Sequence, residues 1–275
     1  MEFEALFQQP NALPSAPKVV QDLISSFNDE HVSVDDIVSK LASDPVLSAK
    51  LLRLANSAYY HVSRSVSTVK DAVVMLGFVT VRTLVISSGL VNGFKSAPGM
   101  DLKQFWRFSL NTAVAAKWLA QQADENSELA FTVGMTHAIG QLVIHAGMPD
   151  QALILDKAVS PLDTRRLDAE RNSFGYDYAD VGAELAVRWK FPDAFSDAVR
   201  AFPKPLEHQP FEPMAAIIHL AAWLARTNEN NLTLDEARAT CPTEVAVKLG
   251  LDPYIMLDKM PPLTELSNGL EELVA

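Results

Sequence analysis

Cysteine is nearly absent: among 275 residues only Cys241 carries a thiol. One thiol excludes an intrachain disulfide and any thiolate-held metal cluster, and it fits a reducing compartment. Cys241 itself reads as a small buried hydrophobe beside a helix start rather than as a nucleophile. Glycine is scarce too, at 11 residues, and neither a glycine-rich phosphate loop nor a Gly-x-Ser-x-Gly elbow occurs. Long apolar runs are missing: a stretch such as Leu84–Leu90 is broken by Ser and Gly well short of a membrane span, and Met1-Glu2-Phe3-Glu4 lacks the basic flank of a signal peptide. The expectation is a cytoplasmic chain with no membrane partner. Basic charge is in deficit, with 23 Lys and Arg against 34 Asp and Glu. That deficit falls on the second half, since residues 1–98 carry 8 basic and 9 acidic side chains and residues 99–275 carry 15 and 25. Binding a nucleic-acid backbone needs basic patches that release counterions, so the composition argues against that partner and is explained by solubility.

What is plentiful is apolar content, 48% of residues, arranged at helical spacing. Ser15 with Pro17 precedes Val19, Val20, Leu23, Ile24 and Phe27 on one face. Ser33 precedes Val34, Ile37, Val38 and Leu41, and Asp44-Pro45 precedes Leu47, Leu51, Leu52 and Leu54. A helix from about Thr68 is expected to end on Gly77 in a left-handed cap. Val79–Phe94 is rich in β-branched residues, yet its length favours a buried helix over a strand. Long helices are expected over Leu102–Gln122 and Glu128–Ala146, then shorter ones over Ala179–Trp189, Pro192–Ala201, Pro213–Arg226, Leu234–Ala239, Thr243–Leu249 and Thr264–Leu273. The turn residues Ser96-Ala97-Pro98-Gly99 coincide with the charge shift and mark a boundary. The fold class is therefore all-α: an N-terminal helical lobe over 1–98 and a second helical lobe over 99–275. So short a connection should hold the lobes together as one unit.

Three segments carry a family resemblance: Leu13-Pro14, then Ser43-Asp44-Pro45 through Leu54-Ala55-Asn56-Ser57-Ala58-Tyr59-Tyr60, then Val73-Val74-Met75-Leu76-Gly77. In this order they closely resemble the N-terminal lobe of HDOD proteins. The likeness continues through Phe105-Trp106-Arg107, Ala130-Phe131-Thr132-Val133-Gly134 and Val181-Gly182-Ala183 to about Arg226. It implies a second lobe resembling the helical bundle of the HD phosphohydrolases, whose active members hold metal with histidines and a His-Asp doublet on several helices.

Taken position by position, the resemblance implies that these ligands are mostly gone. Phe108 stands where the first histidine would fall. The doublet reads His137-Ala138, and Gln141 replaces a common lysine. Tyr178 and Phe202 take later histidine positions, and Ala222 takes that of a carboxylate. Aromatics and alanine pack but do not coordinate. His137 alone remains, and a lone histidine on an apolar helix reads first as a hydrogen-bonded core residue, since a metal site needs about three protein ligands. No metal and no cofactor are expected, unless folding gathers Asp177 and Asp180 around His137. Of the other histidines, His31 and His61 fall in the first lobe, His208 in a proline-rich loop, and His145 and His219 have no assigned role. Asp35-Asp36 suits the first turn of a helix and Glu271-Glu272 a solvated face.

The resemblance thus implies a non-catalytic signalling or scaffold protein of bacterial type, acting through a separate protein partner or a small ligand. Two alternatives stand beside it, a metal-dependent phosphohydrolase and a nucleotide receptor that does not hydrolyse, the latter with Arg53, Arg64 and Arg107 as anion contacts. Arg53, Asn56, Tyr59 and Tyr60 form the expected partner or ligand surface, because Arg and aromatic side chains dominate binding hot spots. A plainer role is open to them: Asn56 capping its helix and Tyr59 packing between the lobes.

Overall fold

Short polar side chains open helix after helix. The structure, a computed structural model, describes residues 2–9, 12, 18–25, 33–60, 65–94 and 97–274. Its first half holds α1 (Phe3–Phe7), α2 (Lys18–Ser25), α3 (Val34–Ala42), α4 (Pro45–Ala55), α5 (Val69–Leu76) and α6 (Phe78–Gly93), with a 3₁₀ turn at Ala58–Tyr60. The second half holds α7 (Leu102–Gln122), α8 (Ser127–Thr136), α9 (Ile139–Gly147), α10 (Pro149–Asp156), α11 (Arg166–Phe174), α12 (Tyr178–Arg188), α13 (Asp193–Ala201) and α14 (Pro213–Glu229). Short helices α15 (Leu234–Thr240), α16 (Thr243–Lys248), α17 (Pro253–Lys259) and α18 (Leu263–Leu266) follow, then a 3₁₀ turn at Glu271–Leu273. No strand occurs among the described residues, so the molecule is all-α.

The caps behave as the sequence suggests. Ser33, Asp44 and Thr68 each accept hydrogen bonds from amides in the first turn of the helix that follows, and Pro45 supplies the preset φ of the first position in α4. Ser15, Pro17 and Ser96 lie outside the described residues. Gly77 does end α5 with positive φ, but its ψ of 151° is extended rather than left-handed helical, so the chain turns sharply into α6 instead of winding past a cap. The β-branched segment is the helix α6, buried at Val81 and from Thr83 to Val91. A helix satisfies its own backbone polar groups, which lets it be enclosed on nearly every side. It packs on α2 and α8, closely enough that a Cβ on Gly89 would meet Val20 at 2.3 Å.

Two expected helices are broken. The stretch Glu128–Ala146 is α8 and α9, parted at His137-Ala138, because the His137 ring takes the Gly134 carbonyl at 2.7 Å that the next turn's amide would otherwise use. Ala138 accordingly leaves helical geometry, at φ −103° and ψ 8°. The expected helix Thr264–Leu273 is α18 and a 3₁₀ turn, separated at Gly269 with φ 86°. Helices α1, α10, α11 and α17 are additions to the sequence reading; α11, RLDAERNSF, has too few apolar residues to show a periodic face.

Around α7, α8 and α14 the second half is built, with α13 against α8 and α14, α12 against α13, and α9 against α12. The two ends of the described chain cross over. Helix α1 packs on α9, where Leu6 meets Gly147, Phe3 meets Tyr176 edge-on at 5.1 Å, and Arg188 lies 4.5 Å over Phe7 while pairing with Glu4 at 2.7 Å. At the other end the 3₁₀ turn Glu271–Leu273 packs on α4 and α6 of the first half, with Leu270 and Leu273 fully buried. The stretch Ser127–Gly147 is long and apolar enough to cross a membrane, and 89% of its most apolar window is buried inside this fold.

Candidate functional site

Glycine lets two pairs of helices approach closely around one point. A Cβ on Gly134 would come within 2.8 Å of the Ala113 Cα, and one on Gly140 within 2.0 Å of the Tyr178 carbonyl oxygen. Hence α8 lies against α7, and α9 against the start of α12, closer than any side chain permits. His137, at the junction of α8 and α9, is thereby ringed by aromatics: Phe108 of α7 and Phe202 after α13 each lie 5.4 Å from it between ring centroids, and Tyr178 lies 6.2 Å from Phe202. His137 is buried, and its Nδ1 donates to the Gly134 carbonyl. Burial pushes its pKa down to about 4, so the ring is neutral near pH 7.

No group of three or more His, Cys, Asp or Glu is placed to hold a metal ion among the described residues. Asp177 and Asp180 are not gathered around His137. They form the capping box of α12 and pair with Arg171. A donor set of one neutral imidazole among phenyl rings does not fit a divalent cation.

Beside this cluster lies a cavity of about 240 Å³, walled by Tyr178, Phe202, His219, Ala222, Trp223 and Arg226 among others. Phe108, His137, Tyr178, Phe202 and Ala222 are thus brought together, with Ala138 buried at the helix break. His219 donates from Nδ1 to the Phe202 carbonyl at 2.9 Å, and burial lowers its pKa. Arg226, in the last turn of α14, donates from Nε to the Leu162 carbonyl at 2.8 Å and sets its guanidinium 5.9 Å over the Phe108 ring. A second cleft of about 460 Å³ shares Thr164, Leu167 and Pro203 with this cavity and presents Arg171, Arg200, Lys204 and His208 beside Asp168, Asp177 and Glu207.

Next to Tyr178 a charged network is sealed in the interior. Arg166, 1% exposed, donates to Glu170 at 2.7 Å, to Asp156 at 2.6 Å and to the Val159 carbonyl at 2.8 Å. Glu170 accepts the Tyr178 amide at 2.7 Å, and burial pushes its pKa up to about 7 against the pull of Arg166. His145 contacts the Gln141 carbonyl at 2.7 Å and Asp156 at 3.0 Å. Gln141 donates to the Pro161 carbonyl. The network anchors the first turn of α12 and with it Tyr178.

At the Arg53–Tyr60 turn Asn56 is engaged within the chain, while the buried Ser57 hydroxyl has no partner among the described residues. Asn56 donates to the Leu52 and Val66 carbonyls and accepts the Val66 amide at 2.8 Å. Tyr59 and Tyr60 meet edge-on at 4.8 Å, with Lys117 5.7 Å above Tyr59. Burial raises the Tyr60 hydroxyl pKa. Gly269 closes over the Tyr59 backbone, and Arg53 sits in the last turn of α4. Arg107 is claimed by a two-pronged pair with Glu229 at 2.9 and 2.7 Å, while Arg64, His31 and His61 lie outside the described residues. Arg226, Arg166 and Glu170 have no place in the sequence reading. The Arg-Glu spacing of four could have flagged the last two; a cation ending an otherwise apolar helix could have flagged Arg226.

Residues 13–205 match the model of the HDOD domain. The chain belongs to the HDOD family. This HDOD chain is 32% identical to a protein of Shewanella amazonensis SB2B whose name provisionally makes it a phosphohydrolase; its crystal structure covers 98% of each chain with a TM-score of 0.79. A protein of Marinobacter aquaeolei VT8, provisionally named for signal transduction, shares the fold at a TM-score of 0.69 and 23% identity, over 95% of this chain and 58% of that one. An uncharacterised protein of Treponema pallidum (strain Nichols) is 25% identical over 220 residues, 78% of this chain. The HDOD chain spans 42% of that curated relative's length.

Proposed function

We propose that this HDOD protein is a non-hydrolysing signalling component that acts through a protein partner or a small ligand. The observation that carries the reading is a buried, neutral His137 set between Phe108 and Phe202, with Tyr178 against Phe202. Metal-dependent hydrolysis requires a cation that brings bound water down to a pKa of about 7 and an open coordination position to hold it. Neither a phenyl ring nor Ala138 or Ala222 supplies a ligand. The HDOD fold shared with a protein named for signal transduction supports the signalling role. The name of the Shewanella relative supplies the competing reading of a phosphohydrolase.

Elemental analysis of protein purified without chelator, alongside turnover of bis-p-nitrophenyl phosphate with added Mn, Fe, Ni or Zn, separates the two. The expected result is no stoichiometric metal and no metal-dependent turnover. About one metal per chain, lost together with turnover in His137→Ala, would establish the phosphohydrolase instead.

A further inference from the structure

The cavity beside Phe202 contains a cation and no anion. Of the ten residues that line it, only Arg226 is permanently charged, and no carboxylate is among them, although the whole chain has a net charge of −11. Arg107, Arg165, Arg166, Arg171, Arg188 and Arg238 each hold a carboxylate. Arg226 holds none. The acid that feels its charge, Asp163, is taken by Arg165 at 2.6 Å. With Nε committed to the Leu162 carbonyl, the plane of the guanidinium is fixed, and the Nη1 and Nη2 groups remain as a fork matched to two oxygens of one acid group.

A second donor points to the same place. Tyr178 lines the cavity, and its hydroxyl has no hydrogen-bond partner among the described residues. That hydroxyl opens on the cavity and is free to donate to a ligand oxygen. Leu167, Pro203 and Trp223 give the remaining wall an apolar and aromatic character. Thr164, Leu167 and Pro203 also wall the neighbouring cleft, which presents Arg200 and Lys204 beside Asp168, Asp177 and Glu207.

We propose that this cavity binds a small organic anion, its carboxylate or phosphate headgroup held by the Arg226 fork and the Tyr178 hydroxyl and its flat apolar body against Trp223. The inference rests on the reading above to the extent that no metal competes for the headgroup. The protein's own guanidinium does by permanent charge what a cation would do in a hydrolase, but it cannot activate water, so the ligand is bound and not cleaved.

Calorimetric titration of the full chain tests this, in EDTA at constant ionic strength, with phenyl phosphate, benzoate and uncharged phenol as probes. Saturable binding of one phenyl phosphate or benzoate per chain is expected, with phenol failing to saturate; the preferred anion identifies the headgroup. Arg226→Gln should weaken that binding at least about 30-fold, and Tyr178→Phe about tenfold. Should Arg226→Gln not fold, modification of wild-type Arg226 by phenylglyoxal, mapped by peptide mass spectrometry, should be blocked by the bound anion. No saturable binding of either anion, equal binding of phenol, or an Arg226 left unprotected at saturation would overturn the proposal. Hydrolysis of phenyl phosphate on adding Mn²⁺ would overturn the non-catalytic reading while leaving binding in EDTA as a separate result.

Discussion

His137 and Glu170 are buried in opposite senses. The folded chain holds His137 neutral, its pKa down at about 4 against about 6.5 when unfolded. As pH falls from about 6.5 to 4, the unfolded state takes up a proton that the folded state refuses, so stability falls with pH. Glu170, raised to about 7, works the other way: it gains its proton first in the folded state, and its contribution grows as pH falls from about 7 to 4.5. The two partly cancel in the wild type. In His137→Phe only the Glu170 contribution of the pair survives, so the variant should gain on the wild type by up to about 3 kcal/mol as pH drops from 7 to 4. Urea midpoints at several pH values measure that difference; parallel curves for the two proteins would show that His137 is not held neutral. At this scale the sequence was legible by type but not by partner. The family resemblance selected Phe108, His137, Tyr178, Phe202 and Ala222, and folding does bring them to one place. Arg226 stayed hidden because its meaning lies in lacking a carboxylate, and an ion pair such as Arg107–Glu229 is separated by 122 residues.

Helices marked by a polar cap, a first-turn proline or a long apolar pattern announce themselves, so α3 to α7 and α12 to α16 fall within a few residues of where the pattern places them. Those that stay silent are short or polar, such as α1 and α11, whose stability comes from what they pack on rather than from their own periodicity. The break between α8 and α9 was equally illegible, since it depends on a side-chain hydrogen bond inside an unbroken apolar run. Its neighbour Gly140 is the most confined position there. Gly140→Ala would drive a methyl group into the Tyr178 carbonyl and force α9 from α12, at a cost of about 1–3 kcal/mol or more. Thermal denaturation should show the loss, and the anion affinity of the cavity should fall with it because Tyr178 is displaced. Unchanged stability would mean that the two helices are not so closely joined.

The halves are fastened by their far ends, α1 against α9 and the turn Glu271–Leu273 against α4 and α6. Removing residues 263–275 strips Leu263, Leu270 and Leu273 from the interior. At about 1.5–3 kcal/mol per buried leucine, with roughly 2–4 °C per kcal/mol for a chain of this size, the melting point should drop on the order of 10 °C or more. Calorimetry of the intact chain should give one transition; a truncated chain that melts unchanged would remove the C-terminal turn from the stabilising contacts. The crossing also bears on how the protein is made. A ribosome delivers α4 early and the turn that covers it about 200 residues later, an interval of roughly 10–40 s at ~5–20 residues per second. Throughout that interval the surface that Leu270 and Leu273 will fill stays open, so the first half to be synthesised is the last to be completed.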